Sequence, residues 1–190
     1  MSRLSFSRFD MRLAFAALLT SIHLLLFPVM ASDSFSPYVD GKGNISLPDD
    51  FRKSMAHLGS WFVPEGGASG FHDVYTERET VDVFRQTGKF PDGAVLVKEL
   101  RASGAGDYTT GKGVSYATDG LKQWFVMIKD TKGRFSQNPQ WGDGWGWALF
   151  KPDNPAKNVS SDYKADCLGC HLPVRDKDLI YTEAYPTLAR

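Results

Sequence analysis

The sequence predicts an α+β fold: a predominantly antiparallel β-sheet with a few short helices and a C-terminal segment built around paired cysteines. Two observations lead there. Between residues 94 and 151 four apolar runs rich in β-branched and aromatic residues are separated by Gly, Asp and Asn turns. Stretches of helical spacing lie on either side and are short.

Elements follow in order. Arg3, Arg8 and Arg12 precede an apolar run over 13–27, and Val29-Met30-Ala31 supplies a small-residue cleavage site. Residues 1–31 therefore read as a signal peptide cut after Ala31; an uncleaved anchor helix is the competing reading. Residues 32–190 read as one domain, exported, with no further membrane span. Residues 32–48 form an extended lead-in. Phe51, Met55 and Leu58 recur at helical spacing before Gly59, predicting a helix over 50–58. A Gly-rich loop over 64–70 leads to a strand over 71–75. Thr76 and Glu79 have capping-box spacing and Gly88 is a stop, predicting a helix over 77–87. Strands follow at 94–102, 113–118, 121–129 and 145–151, then a helix over 162–170 and a short strand over 179–182.

The 190 residues hold 22 Lys+Arg against 22 Asp+Glu, are 42% hydrophobic, and include 18 Gly, 10 Pro and two Cys. That composition excludes collagen-like, disordered and disulfide-scaffold chains. With no basic block, nucleic acid and a polybasic membrane anchor are excluded too.

Both cysteines fall in Cys167-Leu168-Gly169-Cys170-His171. In c-type cytochromes two thiols at this spacing add to the heme vinyl groups and hold the adjacent imidazole against the iron. A Cys167–Cys170 disulfide, a thioredoxin-like redox pair and half a zinc site compete. A disulfide across two residues is an uncommon staple, the redox pair expects a strand before it, and zinc needs two more soft ligands. Covalent heme c, with Cys167 and Cys170 as attachment points and His171 on iron, is the preferred reading. Only 19 residues follow His171, none Met or His. Met55 and Met127 read as core, so the iron is five-coordinate or water-bound, open to small ligands.

His57 reads as a surface or half-buried helix residue. His72, after the Gly-rich loop, is either a distal acid/base group or structural. Strand alternation sets Lys98 between Leu96 and Leu100 on one face. Its ammonium either snorkels to water at a sheet edge or enters an apolar cavity, where desolvation makes the amine nucleophilic.

The segments Phe71-His72-Asp73-Val74-Tyr75, Thr87-Gly88-Lys89-Phe90-Pro91-Asp92-Gly93, Val95-Leu96-Val97-Lys98-Glu99-Leu100 and Ile128-Lys129-Asp130, with the heme motif and Tyr185-Pro186, resemble cytochrome P-460. That resemblance implies an exported c-type heme protein of largely antiparallel β fold, usually a homodimer. It also implies a covalent bond from Lys98 to the porphyrin edge, and oxidation of hydroxylamine, with nitric oxide entering as a ligand, at an open ferric site.

One departure stands out. Counting back without gaps from Lys129, the position of the pocket glutamate in hydroxylamine-oxidising members holds Phe125. A phenyl ring takes no proton, and losing a positioned base costs roughly 10²–10⁴-fold in rate. An aromatic distal residue resembles the beta-type cytochrome c-prime relatives, which bind nitric oxide and lack the lysine. His72 or Asp73 are the candidate substitutes for the base. The Trp-rich segment 141–147 either walls the heme pocket or packs the sheet.

Three functions remain. Hydroxylamine oxidation with an external acceptor such as a soluble cytochrome is favoured by Lys98. Nitric oxide binding or detoxification without turnover is favoured by Phe125. Simple electron carriage is disfavoured by the missing sixth ligand.

Overall fold

Six antiparallel strands form one sheet in the computed structural model, which describes residues 35–189. The expected signal peptide and its cleavage site lie outside the described residues. Within them, no helix is long and apolar enough to cross a membrane.

The strands are β1 (Ala56–Val63), β2 (Gly70–Thr76), β3 (Val95–Tyr108), β4 (Gly111–Lys129), β5 (Trp141–Gly142) and β6 (Trp145–Phe150). Their spatial order is β1-β2-β3-β4-β6-β5, so hairpins join most neighbours. The helices α1 (Phe51–Ser54) and α2 (Arg78–Thr87) are short, as the sequence predicts. The α+β class with a dominant antiparallel sheet is what the molecule has.

Both sheet faces are covered. Val95, Val97, Val126, Ile128 and Phe150 point to one side, where Ile45, Phe51 and Met55 of the N-terminal segment bury them. Val74, Leu96, Met127 and Trp147 point to the other and meet Tyr163, Ile180, Tyr185 and Leu188 of the C-terminal segment. Alternating side chains thus build two apolar layers on one sheet.

Several expectations need correction. The helix expected over 50–58 ends at Ser54, because Met55 is extended and β1 begins at Ala56, paired along β2. His57 is therefore a strand residue. Gly59 is needed for close approach: a Cβ there would lie 1.8 Å from the Ala184 carbonyl oxygen. Thr76 does not cap α2; its hydroxyl donates to the Val95 carbonyl at 2.7 Å, and Glu77 is the cap residue. Gly88 does end α2, at φ 74°. The strands expected at 113–118 and 121–129 are one, β4, with Asp119 and Gly120 absorbed in an irregularity opposite Ala102. Beyond Arg101, β3 and β4 pair only with each other as a ribbon.

The helix expected over 162–170 is a π-helical turn, Lys164–Leu168, followed by α3 (Gly169–His171) and a 3-10 turn, Leu172–Lys177. The strand expected over 179–182 is absent; Leu179 is left-handed at φ 65° and Thr182–Ala184 is a 3-10 turn. β-propensity there yields to the C-terminal segment folding back over the sheet.

Candidate functional site

Three cross-strand rows build the floor of a cavity on the C-terminal side of the sheet. They are Trp61–His72–Leu100, Val74–Lys98–Phe125 and Leu96–Met127–Trp147. Cys167, Cys170, His171, Tyr181 and Tyr185 form the facing wall, and the cavity volume is about 330 Å³. Lys98, His72, Phe125, Cys167, Cys170 and His171, scattered over 100 residues of sequence, border this one space.

Lys98 lies on β3, an interior strand flanked by β2 and β4, so no sheet edge offers its ammonium water. Its residual accessible surface borders the cavity. Its Nζ sits 4.1 Å from the centroid of the Phe125 ring. Burial lowers its pKa from the ordinary lysine value, opposed by Cys170 and Cys167. A neutral amine is the nucleophilic form.

His72 is 8% exposed, and its Nε2 lies 2.7 Å from the Ala68 carbonyl. A carbonyl only accepts, so Nε2 carries the proton and Nδ1 remains the acceptor. Burial lowers its pKa, partly opposed by that hydrogen bond. Asp73 is not brought to the cavity. Alternation turns it to the opposite face, where Oδ1 accepts from Ser60 Oγ at 2.5 Å and lies 3.3 Å from His57 Nε2.

The facing wall is organised around His171. Its Nδ1 lies 2.7 Å from the Leu179 carbonyl, so Nδ1–H donates and Nε2 keeps a free lone pair. The Trp147 ring meets the imidazole edge-on at 4.9 Å. Burial lowers the His171 pKa, favouring the neutral ring that binds metals. Both thiols are free, and burial pushes that of Cys167 up. Asp166 ties the start of this segment down: its Oδ2 accepts from the Ser161 N–H at 2.8 Å and from Ser160 Oγ at 3.2 Å.

The Trp-rich segment serves both expected purposes. Trp147 walls the cavity, while Trp141 packs under the opposite face. Trp61 and Tyr181 line the cavity without having been singled out, and Tyr185, noted only for the resemblance, lines it too. Trp61 and Val63 alternate on β1, a strand signal hidden by the helical spacing before it. Tyr181 donates to the Cys170 carbonyl at 2.7 Å, and its position ten residues beyond the motif was the available hint.

A family model for Cytochrome P460 matches residues 48–182. The chain belongs to the cytochrome P460 family, a family of heme iron proteins. No curated protein matches it. The residues present suit heme: apolar walls, two unpaired thiols on one helical segment, and an imidazole whose outer nitrogen is already satisfied.

Proposed function

We propose that the mature chain is a periplasmic c-type heme protein that oxidises hydroxylamine or a related small nitrogen compound and passes the electrons to an external acceptor such as a soluble cytochrome. The carrying observation is Lys98: an interior-strand amine that opens only onto the cavity lined by the Cys-x-x-Cys-His motif. Cys167 and Cys170 would hold heme through thioether bonds, His171 through Nε2, and Lys98 through a bond to the porphyrin edge. When bound, heme supplies a redox-active iron with a position open to a small nitrogen ligand.

This chain's own residues do the rest. His72 keeps its Nε2 proton on the Ala68 carbonyl and offers Nδ1 as acceptor for a substrate proton. Phe125, Trp61 and Leu100 give the cavity apolar walls. Lys98 is held in apolar surroundings that favour its nucleophilic form. Export rests on the reading of residues 1–31 as a signal peptide, and a homodimer on the family resemblance.

A second reading is specifically favoured by Phe125, which puts an aromatic ring where a proton acceptor would speed oxidation: nitric oxide is bound or detoxified without hydroxylamine turnover. Steady-state reduction of an artificial acceptor by the heme-loaded protein with hydroxylamine decides. Turnover is expected. Tight nitric oxide binding without turnover would move the function to the second reading.

A further inference from the structure

Two consecutive residues beside the facing wall, Asp178 and Leu179, have φ of 58° and 65°. Side-chain-bearing residues rarely adopt this left-handed conformation, and two in succession need support from outside the turn. Lys129 Nζ donates to Asp178 Oδ1 at 2.6 Å. Trp145 Nε1 donates to the Asp178 carbonyl at 3.0 Å. The Leu179 N–H donates to the Val174 carbonyl at 3.0 Å, and the Leu179 side chain is buried.

Lys129 and Trp145 are cross-strand partners of β4 and β6, and Lys129 Nζ lies 4.7 Å from the Trp145 ring centroid. One end of the rigid sheet therefore clamps the turn. The carbonyl that this turn presents is that of Leu179, the acceptor for His171 Nδ1–H.

We propose that Lys129 and Asp178 are positioning residues. Their ion pair fixes the Leu179 carbonyl against His171 and so sets how strongly that imidazole donates to heme iron. The inference rests on the reading of His171 as the iron ligand. An N–H donated to a carbonyl raises the basicity of a metal-bound imidazole, which favours the ferric state. Releasing the clamp weakens that hydrogen bond, raises the reduction potential and softens the iron–histidine bond. The Lys129 side chain is 11% exposed and that of Asp178 40%, so the pair acts by fixing geometry more than by its own energy.

The test uses heme-loaded protein: the ferrous iron–histidine stretching frequency by resonance Raman and the midpoint potential, for wild type, Lys129→Met, Lys129→Arg and Asp178→Asn. Lys129→Met and Asp178→Asn are expected to lower the frequency and raise the potential, and Lys129→Arg to retain wild-type values. Asparagine tolerates the left-handed conformation, so Asp178→Asn reports even where Lys129→Met fails to fold. Wild-type frequency and potential in the variants overturn the clamp alone. An iron–histidine mode missing from wild type, with a spectrum unchanged in His171→Ala, overturns the ligation and the clamp together.

Discussion

Lys98 and Phe125 are direct partners across the β3–β4 pair, and the ammonium nitrogen of one lies 4.1 Å from the ring centroid of the other. The cavity thus sets an amine beside a residue that cannot take a proton.

Phe125→Glu adds a carboxylate acceptor to the one that His72 offers. Hydroxylamine turnover by the heme-loaded variant should rise about 10²-fold, read as kcat with an artificial electron acceptor. An unchanged kcat would show that proton removal at this position does not limit the rate.

His72 gives a pH signature. Its folded pKa lies below the ordinary 6.5, first because it is buried. Below pH 6.5 the unfolded chain takes up the proton before the folded one, so stability present above that pH is lost as pH falls through the folded pKa. Urea midpoints measured from pH 7.5 to 4.5 should fall less steeply for His72→Gln than for wild type. Parallel profiles would remove His72 from the account.

Glu99 lies on the face opposite the cavity and ties three groups together. Burial raises its pKa, but Arg101, Arg52 and the Trp124 indole outweigh that and hold it below the ordinary carboxylate value. Arg101 Nε and Trp124 Nε1 donate at 2.6 and 3.1 Å, and Arg52 pairs with the same carboxylate. Glu99→Gln should cost about 2–3 kcal/mol in chemical denaturation, reduced from a fully buried pair because Arg52 is half-exposed.

Gly59→Ala tests how the C-terminal segment is seated. The added methyl would overlap the Ala184 carbonyl, next to the cavity-lining Tyr185, at a cost of about 3 kcal/mol. Wild-type stability in urea would mean that this segment does not press on β1.

The strands were legible because alternation survives burial: 71–75 and 145–151 fall within a residue of β2 and β6. The segment 50–58 misled because Phe51, Met55 and Leu58 have helical spacing, while pairing with β2 decides the conformation from Ala56 onward. The strand expected over 179–182 failed similarly, since the segment packs over the sheet and its turn is clamped by Lys129 and Trp145. Within the site, the Cys167–Cys170–His171 motif and the face carrying Lys98 were readable from spacing. The Leu179 carbonyl was not, because a backbone acceptor leaves no trace in residue identity. Nor was the exclusion of Asp73, which follows from the face it occupies.

The most direct measurement is the absorption spectrum of ferrous, heme-loaded protein, for wild type and Lys98→Ala. A strongly red-shifted Soret band in wild type that returns to an ordinary c-type position in the variant is the predicted result. An ordinary c-type spectrum in both, from fully heme-loaded protein, would contradict the Lys98 bond and with it the main argument for hydroxylamine oxidation.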